Sequence, residues 1–185
     1  MTRRGRTRGV ALAAVLLGTV LTACGSSGSR PVADSTPTSS PGPIRPEGFS
    51  SAEIVIRRAD GTVCRLCTYL ARTSAEWQRG LMFVTDLDGR DGMLFQFPSA
   101  NTNQFWMRDT VTPLTAVWFA PDGLFIDAID MVPCPADAMD CPRYGPGKPA
   151  TNVLELPQGT LAGLGIGPGS RLESVGATCG GSSSK

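Results

Sequence analysis

Ala59-Asp60-Gly61 and Pro121-Asp122-Gly123 cut the apolar content of this chain into runs of strand length. Turn residues flanked by alternating apolar positions are a hairpin signal. Residues 52–58 and 62–70 flank the first turn, and residues 114–120 and 124–132 flank the second. Residues 92–97 (stopped by Pro98), 104–108, 151–156 and 171–175 complete the set of expected strands. Thr73-Ser74-Ala75-Glu76 has capping-box spacing and precedes Trp77, Leu81 and Met82 at helical intervals. A short helix is therefore expected to end near Gly80 or Met82, and a second over 160–164. Strands joined by tight turns, with one or two short helices, predict a mainly β sandwich or barrel.

The N-terminus belongs to a different regime. Arg3, Arg4, Arg6 and Arg8 precede an apolar run, Val10 to Leu21, that ends at Leu21-Thr22-Ala23-Cys24. That run falls short of the roughly 20 residues that cross a bilayer and has the layout of a secretory signal. Leu-Thr-Ala-Cys resembles a bacterial lipobox, which implies diacylglyceryl transfer to Cys24 and cleavage before it. Two or more acyl chains make a firm anchor where one is marginal. The expected organisation is a signal peptide over 1–23, a lipid-anchored disordered tether over 24–47, one β domain over 48–176 and a flexible tail over 177–185. The tether is rich in Ser, Pro, Gly and Thr and has little to bury. The expected location is the outer, extracytoplasmic face of the cell membrane.

Loss of the leader removes four arginines and no acids, leaving 13 basic against 16 acidic side chains. No basic block remains to follow a phosphate backbone, so nucleic acid is not an expected partner. Histidine is absent, which excludes Ser-His-Asp and Cys-His catalysis within the chain and removes the commonest zinc ligand. No cofactor and no metal site are expected. Asp86, Asp88 and Asp91, like Asp137 and Asp140, read as turn chemistry, because the first group lacks the closing glutamate of a calcium loop.

Outside the membrane, thiols tend to oxidise. Cys134 and Cys141 bracket a loop whose ends can meet, and a disulfide is expected between them. Cys64 and Cys67 lie three apart on an expected strand, facing opposite sides and too distant to pair with each other. One of them can bond Cys179, and the sequence leaves open which. A thiol-exchange role for the pair would require a free, reactive sulfur.

The ordered motifs Arg79-Gly80-Leu81-Met82, Gly92-Met93-Leu94-Phe95 and Phe105-Trp106-Met107-Arg108-Asp109-Thr110 resemble those of domain-of-unknown-function family 192. Cys141-Pro142-Arg143-Tyr144, Val153-Leu154-Glu155-Leu156-Pro157 and Leu164-Gly165-Ile166-Gly167-Pro168-Gly169 follow in the same order. The resemblance spans about residues 62–175 and implies a compact, jelly-roll-like β domain without an established activity. Where the family often carries lysine after Phe-Trp-Met, this chain has Arg108, which stays protonated and makes a poor nucleophile or base.

Alternation over 104–108 places Phe105 and Met107 inward and Gln104, Trp106 and Arg108 outward. Two readings stand. In one, Trp106 and Arg108 form a platform that stacks a sugar or peptide, with Arg79, Asp109 and Tyr144 around it. In the other, Trp106 packs beneath the helix bearing Trp77, and the charges are ordinary surface pairs. The leading expectation is a β domain that binds an envelope glycan, peptide or protein. Its rival is a hydrolase using Asp109 and Glu155 as an acid–base pair.

Overall fold

The computed structural model describes residues 42–179. Strands β1 (Ser50–Arg57) and β2 (Val63–Ala71) form the first hairpin, Arg57 opposite Val63. Its turn is closed by the Arg58 amide donating to the Thr62 carbonyl at 2.8 Å. Helix α1 (Ser74–Arg79) then carries the chain over to β3 (Gly92–Asn101), which lies parallel to β2. Parallel neighbours cannot be joined by a tight turn, so a crossover is obligatory. Strands β4 (Leu114–Phe119) and β5 (Phe125–Met131) form the second expected hairpin. They are followed by β6 (Ala150–Pro157), α2 (Leu161–Leu164) and β7 (Arg171–Val175).

The seven strands make one sheet in the order β5-β4-β6-β3-β2-β1-β7. Its two outer strands meet at their ends. The Phe125 amide donates to the Ser170 carbonyl at 2.9 Å, and the Leu172 amide to the Gly123 carbonyl at 2.8 Å. This closure gives a mainly β, barrel-like fold, as the spacing of turns predicts. Side chains from all seven strands, among them Ile54, Leu66, Leu94, Val117, Leu154 and Leu172, fill its interior.

A second core lies against the outer face of β2, β3, β6 and β4, where Tyr69, Phe95, Leu114, Trp118 and Val153 are covered by α1 and the long loops. Strand β4 is buried at every position because it faces a core on each side. The unbroken apolar run Ala116-Val117-Trp118-Phe119 follows from that placement.

Three expectations need correction. Pro98 does not end β3, because the ladder to β6 is interrupted between Gln96 and Asn101. Proline is tolerated where no ladder bond is asked of it. Residues 104–108 form no strand, only isolated bridges from Phe105 to Tyr144 and from Arg108 to Cys134. The body also begins earlier than residue 48. The Ile44 amide donates to Thr85 Oγ1 and Arg45 Nε to Asp86 Oδ2, both at 2.9 Å.

At the other end, the Glu53 amide donates to the Ala177 carbonyl at 3.1 Å. Cys67 is disulfide-bonded to Cys179, and Cys134 to Cys141. Residues 177–179 are therefore fastened to β1 and β2. Cys64 is free and buried in the barrel interior. With Cys67 oxidised and Cys64 covered, the thiol-exchange reading has no reactive sulfur to work with. The leader, Cys24 and most of the expected tether lie outside the described residues.

Candidate functional site

Thr73 sets up the site by starting α1. Its hydroxyl accepts from the Glu76 amide at 3.3 Å, while Glu76 Oε2 accepts from the Thr73 and Arg72 amides at 2.9 and 2.7 Å. This reciprocal cap holds a helix too short to persist alone. The Trp77 indole donates to the Ala71 carbonyl at 2.9 Å, tying the helix to the end of β2. Gly80 then turns the chain with φ of 45°, and a Cβ there would lie 3.2 Å from the Phe95 ring. Glycine satisfies both demands.

Between α1 and the 103–110 segment lies a cleft of about 430 Å³, within the usual range for small-ligand sites. Its walls are aromatic: Trp77, Phe95, Phe97, Phe105 and Trp106. Trp77 and Phe97 meet at a tilt with ring centres 5.1 Å apart, and Phe95 meets Phe105 edge-on at 5.0 Å. Exposed Arg79 and Arg143 line its mouth. The Arg143 guanidinium lies 4.1 Å from the Trp106 ring centre and that of Arg108 5.2 Å from it. Such contacts attract a cation to the indole and fix the ring.

Glu155 is the unusual member. It stands on β6, with Met93 of β3 on one side and Ala116 of β4 on the other. Only 5% exposed, it lines the cleft from below. Burial alone pushes its carboxyl up to about 8, with no contribution from a hydrogen bond or a neighbouring charge. An unpartnered acid in such a place is costly to ionise and is held largely neutral at pH 7.

Of the sequence-derived candidates, Arg79 and Trp106 line the cleft. Arg108, Asp109 and Tyr144 do not, and instead support its far wall. Arg108 reaches back to the Ala138 carbonyl at 3.4 Å, within the loop closed by the Cys134–Cys141 bond. Tyr144 pairs with Phe105 through backbone bonds of 2.8 and 2.9 Å. Asp109 accepts the Phe83 amide at its carbonyl at 2.7 Å, and these two residues have left-handed φ of 56° and 62°. Each follows or precedes a residue that lines the cleft, Met82 and Thr110. Non-glycine residues held there cost on the order of 1–3 kcal/mol each, and such strain gathers at functional sites.

The acid pair is not assembled in this cleft: Glu155 lines it and Asp109 does not. Sequence reasoning missed Trp77, Phe97 and Arg143 as site residues. Arg143 carried a faint signal in its place just after Cys141, on a braced loop.

A barrel-like β domain with a lateral aromatic cleft over one buried acid is the class of protein that this fold and site define. The chain belongs to the DUF192 family, described as Uncharacterized ACR, which it matches over residues 55–174. It is similar to a protein of unknown function from Novosphingobium aromaticivorans DSM 12444, with 31% identity and a TM-score of 0.61 over 72% of this chain and 94% of that one. It is also similar to a protein from Sinorhizobium meliloti 1021 described as a candidate transcription regulator. That match has 28% identity and a TM-score of 0.59, over 71% of this chain and 97% of the other. No curated protein matches significantly.

Proposed function

We propose that this chain is a lipoprotein acylated at Cys24, holding a ligand-binding β domain at the outer, extracytoplasmic face of the cell membrane. The cleft between α1 and the 103–110 segment receives an envelope ligand of glycan or peptide class. The observation that carries this reading is the cleft itself: aromatic walls, two arginines at the mouth and a buried acid below. Stacking surfaces with a few directional polar groups suit sugar rings and peptide side chains. The description of the Sinorhizobium relative as a candidate regulator is not carried over, because the chain without its leader is net acidic.

Two measurements test the proposal on the full chain expressed in a bacterial host. Intact-mass analysis of the membrane-bound protein is expected to find an N-terminus at Cys24 with added acyl mass. A different N-terminus, or no acyl mass, overturns the anchoring. Soluble glycan and peptide fragments of the envelope are expected to shift tryptophan fluorescence, with the affinity reduced at least tenfold in Trp106→Ala. Titrations that leave the wild-type signal flat overturn the binding role.

A further inference from the structure

Three features set the chemistry of what fits this cleft. Glu155 is nine-tenths buried, opens onto the cleft and has no hydrogen-bond or charged partner among the described residues. Arg79 and Arg143 at the mouth have no carboxylate within 4 Å among the described residues. Arg79 instead donates to the Glu47 carbonyl at 2.6 Å and covers Phe49, and Arg143 lies over Trp106. Positive charge is therefore left uncompensated outside and a potential negative charge uncompensated inside.

Resting on the binding role above, we propose that the cleft selects an amino-acid-like zwitterion. The ligand's ammonium group seats against Glu155, its carboxylate meets Arg143 and Arg79, and its carbon chain lies between the aromatic walls. An isolated buried carboxylate is stabilised by a cation that brings its own donors. The Trp77 ring in the cleft wall adds to the attraction for an ammonium group. A metal ion is a poorer match, since a hard cation demands several oxygen ligands and one carboxylate supplies too few. At the mouth, guanidinium groups match a carboxylate in geometry as well as in charge.

The polarity of this arrangement makes the test direct. The full chain, solubilised in detergent, is titrated with ω-aminoalkanoates from 4-aminobutanoate to 8-aminooctanoate. Alkanoates and alkylamines of the same lengths serve as controls, with binding read by calorimetry. One or two lengths of the aminoalkanoates are expected to bind at least tenfold more tightly than either control. Glu155→Gln is expected to erase the preference over the alkanoate, and Arg143→Met the preference over the alkylamine.

Equal binding of aminoalkanoate and alkanoate by the wild type overturns the inference, whether or not the variants fold. So does the absence of binding by every aminoalkanoate. If neutral envelope fragments still shift the fluorescence in a Trp106-dependent way, the binding role survives that result. If they do not, both fall.

Discussion

Glu155 concentrates at one residue the tension between folding and function. In the unfolded chain its carboxyl titrates near the ordinary 4.5, and in the fold near 8. A raised acid is protonated in both states below pH 4.5, so its burial then carries no ionic penalty. As pH rises from 4.5 through 8, the unfolded state releases the proton first and the fold loses stability. The loss is at most about 1.4 kcal/mol for each pH unit crossed. Guanidinium unfolding at pH 5 and pH 9 should therefore show wild type weakening relative to Glu155→Gln by several kcal/mol. Parallel curves for the two proteins would mean that the group ionises freely in the fold. The sequence contains a clue to this burial, because Glu155 is flanked by Leu154 and Leu156 in a run with no polar face. Nothing in that run says that the acid opens onto a cleft, since the residues opposite it come from α1 and the 103–110 segment. Trp106 illustrates the reverse case. Alternation singled it out as facing away from Phe105, yet the segment is no strand, and Gln104, Phe105 and Trp106 line the same cleft.

Among the elements, α1 does more than its length suggests, since one wall of the cleft is built on it. Thr73→Ala removes the acceptor for the Glu76 amide and is expected to cost about 1 kcal/mol. Thermal unfolding of the full chain would read the loss, and an unchanged transition would show the cap to be dispensable. The capping box, both hairpins and β4 were legible because each is written in local chemistry: cap spacing, turn residues or apolar continuity. The parallel pairing of β2 with β3 was not, because register across a crossover depends on partners distant in sequence. Gly92 marks that junction once the fold is known. A Cβ there would come within 2.0 Å of the Glu155 carbonyl oxygen, so β3 and β6 approach each other as only glycine permits. The continuation of β3 through Pro98 was equally hidden, being decided by where the ladder to β6 breaks.

At the scale of the whole molecule, the Cys67–Cys179 bond spans 112 residues and ties the end of the chain to β2. Cross-links closing long loops restrict the unfolded ensemble most, and loss of a native disulfide typically costs about 2–5 kcal/mol. Replacing Cys67 and Cys179 together by serine should lower the urea midpoint accordingly, whereas an unaltered midpoint would leave the bond without a stabilising role. Sequence alone narrowed the partner of Cys179 to Cys64 or Cys67, and the fold decides between them by facing. Strand alternation turns Cys64 into the barrel and leaves Cys67 on the other side. That leftover sulfur has a practical consequence. A maleimide can reach Cys64 only when the strands around it part, so its labelling rate is a clock for spontaneous opening of the native barrel. The reporting cysteine is already in place and none need be engineered.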